Sequence, residues 1–110
     1  MSDDYVMICT EKDLDEGAIL VKNTGDRSIL LAKQSGIIYA LDDICTHDGA
    51  GLGDGDLIDG QIQCPRHGAR FDLKTGAVTR MPAIIGISAY KVKVDQGKVY
   101  VALPTEEPRL

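Results

Sequence analysis

The feature that most constrains this chain is a pair of short segments, Cys45-Thr46-His47 and Cys64-Pro65-Arg66-His67, with sixteen residues between them. Each carries one thiol and one imidazole, so a fold that brings the segments together builds a site of two sulfur and two nitrogen donors. Such a donor set suits zinc or an iron-sulfur cluster. The chain has two histidines and three cysteines, and the two segments use all of them except Cys9.

Between the segments, Gly49, Gly51, Gly53 and Gly55 fall at alternate positions. Glycine lets the backbone approach a buried inorganic group and permits the positive φ angles that turn successive N–H groups inward, although a flexible hairpin tip is glycine-rich too. The order of the donors also matters. A zinc finger of two cysteines and two histidines pairs like with like and sets the histidines on a helix, whereas each segment here mixes the two and no helical pattern follows Cys64.

The rest of the chain reads as β-structure. Apolar, β-branched stretches at 5–9, 18–22, 27–33, 37–41, 69–72, 77–79, 87–94 and 98–103 are separated by turn signals. Those signals include Asn23-Thr24-Gly25-Asp26, Gln34-Ser35-Gly36, Lys74-Thr75-Gly76 and Asp95-Gln96-Gly97. The stretch 5–9 reads as a strand buried on both faces, with Cys9 packed as a small hydrophobe. Thr10 followed by Asp13, with Gly17 close behind, allows a helix of about one turn. Tyr90, Val92 and Val94 alternate with Lys91, Lys93 and Asp95, the pattern of a half-exposed strand. The expected fold is all-β, an antiparallel meander within a small barrel or sandwich. The 110 residues fit one domain, with 104–108 as a loose tail.

Composition narrows the function. A formal charge of -5 argues against a protein that tracks nucleic-acid phosphates, and no apolar run approaches the roughly 20 residues of a membrane span. The acidic start Met1-Ser2-Asp3-Asp4 does not resemble a signal peptide, which makes the cytoplasm the expected compartment and free thiols the expected state of the cysteines. Six aspartates (42, 43, 48, 54, 56 and 59) and no lysine or arginine occupy 41–65, while Arg66, Arg70, Lys74 and Arg80 follow. This is either a self-compensating solvated surface or a docking face for a charged partner.

The spacing Cys-x-His, sixteen residues, Cys-x-x-His-Gly, followed by Ala69-Arg70-Phe71-Asp72 and Thr75-Gly76, resembles the Rieske family over essentially the whole chain. The resemblance implies a Rieske-type fold of small stacked sheets, with a cluster-binding subdomain of two loops at about 43–83. It implies one [2Fe-2S] cluster, with Cys45 and Cys64 on one iron and His47 and His67 on the other. The respiratory and photosynthetic branch adds a disulfide between its loops and donates hydroxyls to the cluster sulfurs. The matching positions here are Ala50 and Arg66 for the disulfide, and Ala69 and Phe71 for the hydroxyls. Without those donors the potential is expected toward the low end of the Rieske range, on the order of -150 mV.

A large oxygenase subunit would need two further histidines for its non-haem iron, and none remain. No dinucleotide fingerprint is present either. The chain is therefore expected to be no enzyme itself but a small ferredoxin, carrying single electrons from a flavin-containing reductase to the terminal oxygenase of a ring-hydroxylating dioxygenase. His47 and His67 would lie at the exposed tip, and Met81-Pro82-Ala83 would form a third loop over the cluster or an ordinary strand-breaking turn. A Rieske-like small subunit of a nitrite-reductase-type complex and a redox-responsive binding module are the alternative readings.

Overall fold

A computed structural model describes residues 4–24, 27–44, 51–65, 68–81 and 86–103. Among the described residues eleven strands form three antiparallel sheets. In chain order they are β1 (Asp4–Thr10), β2 (Ile19–Thr24), β3 (Arg27–Gln34), β4 (Ile37–Asp42), β5 (Asp56–Ile58) and β6 (Gln61–Gln63). After them come β7 (Arg70–Asp72), β8 (Val78–Arg80), β9 (Ala89–Tyr90), β10 (Val92–Asp95) and β11 (Lys98–Leu103). The sheets are ordered β1-β11-β10, β2-β3-β4-β9 and β5-β6-β7-β8.

The expected meander is β2-β3-β4, and it places β3 at the centre of the molecule. Ile29, Leu30, Leu31 and Ala32 form an unbroken apolar run and are all fully buried. Because side chains alternate along a strand, the run feeds two cores. Ile29 and Leu31 pack with Cys9, Leu14, Ile38, Val99 and Val101, on the side of the first sheet. Leu30 and Ala32 pack with Leu41, Leu52, Ile62, Cys64, Ala69, Phe71 and Leu73, on the side of the third. One strand is thus a wall shared by the sheet that closes the back of the molecule and the sheet that carries Cys64.

Two-residue turns set the registers. Ser35-Gly36, Asp59-Gly60 and Gln96-Gly97 all have positive φ at both residues, as tight hairpins with right-handed twist require. Glu16 fastens the first of these turns, its carboxylate accepting the N–H groups of Ser35 at 2.6 Å and Gly36 at 2.9 Å. The Gly36 bond, then the Ser35 bond, lowers the Glu16 pKa. A 3-10 turn at Glu11–Asp13 is the short helix expected there; the Asp13 carboxylate accepts from both the Thr10 N–H and its hydroxyl, at 3.0 Å each.

Three expectations are corrected. β1 is not buried on both faces: it is an edge strand, and Tyr5 and Met7 are each 44% exposed. A register shift between Met7 and Cys9 turns the strand so that Cys9 enters the core. The stretch 87–94 is not one strand, since β9 pairs with β4 and β10 with β11. The chain changes sheets at Lys91, whose carbonyl accepts the Ala102 N–H at 2.9 Å. Finally, the region between the ligand segments contains a hairpin, β5-β6, that the sequence pattern does not announce. The turn at 23–26, the tail at 104–108 and Pro82-Ala83 lie wholly or partly outside the described residues; Met81 is described and is 74% exposed.

Candidate metal centre

Of the second segment, Cys64 and Pro65 are described, directly after β6 and ahead of β7. Pairing of Gln63 with Arg70 brings the two strands together, and the Arg70 Nε donates to Gln63 Oε1 at 2.7 Å. Inside that pair the Cys64 N–H donates to the Ala69 carbonyl at 2.7 Å, and the Gly68 N–H donates to the Cys64 carbonyl at 3.0 Å. Gly68 has a φ of 78°, which a side chain at that position would resist. A compact turn results, with Cys64 at its root. The Cys64 thiol is free and fully buried, among Ala69, Phe71, Leu52 and Leu41.

A cysteine at the root of a glycine-closed turn, with apolar walls and no disulfide, fits a thiolate ligand of an iron-sulfur cluster. Ala69 and Phe71, the positions expected to lack hydroxyl donors, are both fully buried in the same cluster of side chains as Cys64. Arg66 and His67 lie outside the described residues, as do Cys45, Thr46, His47, Gly49 and Ala50.

The base of the first ligand segment is described up to Ile44. The Asp42 N–H donates to the Ser88 carbonyl and the Asp43 N–H to the Ser28 carbonyl, each at 3.0 Å. Tyr90 donates its hydroxyl to Asp42 Oδ1 at 2.5 Å while accepting from Arg27 Nη1 at 3.1 Å. The Leu52 N–H donates to Asp43 Oδ1 at 2.7 Å, and the Ser28 hydroxyl to Asp43 Oδ2 at 3.5 Å. Residue spacing carries no sign of this network, because Tyr90 and Arg27 are remote in the chain from the acidic run. The run itself divides: Asp42 and Asp43 are half-buried and engaged, whereas Asp54, Asp56 and Asp59 are exposed.

Of the alternating glycines, the three that are described, Gly51, Gly53 and Gly55, do not show the positive φ expected of them. Each instead admits a neighbour where a Cβ would stand: a Cβ at Gly51 would lie 2.9 Å from the Asp43 carboxylate, one at Gly53 2.7 Å from Val21 Cγ2, and one at Gly55 closer still to the Gln63 carbonyl. They are packing glycines that let the segment after the first ligand pair lie flat against β2, Asp43 and β6. The remaining cysteine, Cys9, is buried on the far side of β3. Burial, and then the charge of Asp13, pushes its thiol pKa up.

The described residues define a small all-β domain with a buried cysteine at the root of a glycine-closed turn. Residues 4–91 match the family model described as Rieske [2Fe-2S] domain. The chain is 36% identical over 104 residues to the 3-phenylpropionate/cinnamic acid dioxygenase ferredoxin subunit of Shigella flexneri serotype 5b (strain 8401), covering 94% of this chain and 97% of that protein. It is 37% identical over 94 residues to Apoptosis-inducing factor 3 of Homo sapiens, covering 86% of this chain but spanning only 16% of the length of that relative. A solved structure described as a complex of reduced oxygenase and oxidized ferredoxin in carbazole 1,9a-dioxygenase contains a similar chain. There the TM-score is 0.85 and the identity 30%, over 94% of this chain and 97% of that one. The chain belongs to the Rieske [2Fe-2S] domain family, and its cofactor is one Rieske-type [2Fe-2S] cluster. Among the described residues no helix is long and apolar enough to cross a membrane.

Proposed function

We propose that this protein is an electron-transfer ferredoxin, passing single electrons from a flavin-containing reductase to a terminal non-haem iron oxygenase of the ring-hydroxylating type. The observation that carries this reading is correspondence in both directions, 94% of this chain with 97% of a dioxygenase ferredoxin subunit. The oxygenase as partner is supported by the similar chain in the oxygenase–ferredoxin complex.

Cys45 and Cys64 would hold one iron of the cluster, and His47 and His67 the other. When bound, the cluster supplies a site that accepts and releases one electron. The chain's own part is to fix that group. The Cys64–Ala69 and Gly68–Cys64 hydrogen bonds hold the thiol in place, and the apolar wall of Leu52, Ala69 and Phe71 excludes water from it. With no hydroxyl at 69 or 71, nothing there stabilises the extra negative charge of the reduced state, which supports a potential near the low end of the family range, about -150 mV. The same proposal treats 1–110 as one domain with a cluster-binding subdomain at about 43–83; the β5–β8 sheet falls within that span. We infer a cytoplasmic location as well, which the buried, unbridged thiol of Cys9 supports.

The test is anaerobic reduction of the purified protein by flavoprotein reductases, read by electron paramagnetic resonance. A rhombic signal of low average g, with iron and sulfide in equal amounts, is the expected result. Colourless protein holding one equivalent of zinc would overturn it.

A further inference from the structure

Asp43 joins two points of the chain that enclose the first ligand pair. Its backbone N–H is fastened to Ser28 of β3, and its carboxylate reaches forward to the Leu52 N–H at 2.7 Å. The segment between these two residues is the one that contains Cys45 and His47. Gly51 makes the approach possible, because a Cβ there would stand 2.9 Å from Asp43 Oδ2 and 3.3 Å from Oδ1. Leu52 is in turn fully buried in the same cluster as Cys64. One carboxylate thus ties the entry of the first loop to its exit, and the exit to the packing around the second.

From this geometry we propose that Asp43 is a positioning residue for the cluster, closing the loop that carries Cys45 and His47 and setting how firmly that loop retains iron. The inference rests on the ligand assignment made under the proposed function. Two physical effects are combined. The charge-assisted hydrogen bond removes freedom from a short loop whose donors must meet a fixed cluster geometry. The negative charge, on a residue two positions before Cys45, also disfavours adding an electron to the cluster.

Substitution separates the two. Asn at 43 keeps an oxygen that can accept the Leu52 N–H but removes the charge; Ala removes both. Iron release from the cluster-loaded protein to an excess of a ferrous chelator is the first measurement. Asp43→Ala is expected to lose iron about tenfold faster, the loss of one charge-assisted hydrogen bond, while Asp43→Asn stays within about threefold of wild type. The second measurement is the redox titration, in which Asp43→Asn is expected to shift the midpoint to more positive values. Hydrogen exchange of the Leu52 amide is the third, and needs no cluster: protection is expected in wild type and Asp43→Asn and lost in Asp43→Ala. Gly17→Ala, which strains a turn at φ 81° where a Cβ meets nothing within 4 Å, is the control for general destabilisation and leaves iron release and potential unchanged. Asp43→Ala releasing iron at the wild-type rate, or keeping the Leu52 amide protected, overturns the proposal. If the wild-type protein shows no rhombic signal, the ligand assignment fails, and the latch is decided by the Leu52 amide alone.

Discussion

Tyr90→Phe removes a hydroxyl that links the β3 end to the base of the first ligand segment, and its consequences depend on pH in a defined way. In the native protein the hydroxyl donates to Asp42 and accepts from Arg27. Burial first, then the hydrogen bond to Asp42 and its charge, pushes the phenol pKa from 10.0 up to about 12, with Arg27 pulling the other way. The folded state therefore holds its proton through a window in which the unfolded chain has lost it. The stabilisation is complete below pH 10 and is lost as pH rises toward 12. Two pH units correspond to at most ~2.7 kcal/mol; the ring is only half-buried, and solvent screening reduces this to about 1 kcal/mol. At neutral pH, loss of the hydroxyl costs about 1–1.5 kcal/mol, or about 4–6 °C in Tm. Urea unfolding of both proteins, followed by far-ultraviolet circular dichroism from neutrality through this window, measures the gap between them. The gap is expected to close as the phenol ionises, and the wild-type minus variant phenolate absorbance isolates Tyr90 among the four tyrosines. A gap constant across the window, or an ordinary phenol titration near 10 for Tyr90, refutes the reasoning.

Other outcomes follow from the same structure. Ala69→Ser and Phe71→Tyr each place a hydroxyl in the buried wall around Cys64. Stabilising the reduced state by about 1 kcal/mol would raise the potential by about 40 mV per substitution, read by redox titration; an unchanged or lower midpoint contradicts this. Gly76→Ala is expected to cost more than about 3 kcal/mol, because the new Cβ meets the Ile87 carbonyl in a backbone of φ 78°. Gly17→Ala, at φ 81° with nothing within 4 Å, is expected to cost only about 1–2 kcal/mol of backbone strain, so equal losses in denaturant titrations would show that the contact is unimportant. Cys9, buried and with its thiol pKa raised, is expected to react with an aromatic disulfide reagent only at the rate of unfolding. Rapid labelling of Cys9 in the folded protein would place it outside the core.

The parts of this molecule written in local patterns were readable in advance. Ser35-Gly36 and Gln96-Gly97 announce their hairpins because only a few residue types accept two successive positive φ angles. The ligand segments announce the cofactor because few chemistries need both donors at that spacing. Asp59-Gly60 carries the same hairpin signal, yet β5 and β6 have only three residues each, and Asp56, Gln61 and Gln63 dilute their apolar character. The run at 5–9 looks as buried as the run at 29–32, but strand order decides between them: β1 is at an edge and β3 is central. The role of Asp43 was hidden for a related reason. A carboxylate in an acidic run looks solvated until the chain returns at Leu52 to donate to it, and that return depends on glycines whose purpose is proximity rather than conformation.

The wall formed by β3 has a consequence for electron transfer itself. An electron moves readily when the donor keeps nearly the same nuclear positions before and after, so that little rearrangement has to be supplied by chance fluctuation. A strand packed tightly on both faces resists displacement from either side. The turn that holds Cys64 rests against one of those faces through Leu30 and Ala32, and the opposite face is backed by Val99 and Val101. Under the proposed ligation by Cys64, the far sheet thereby acts as ballast: it would keep the cluster's seat still while the charge on the cluster changes.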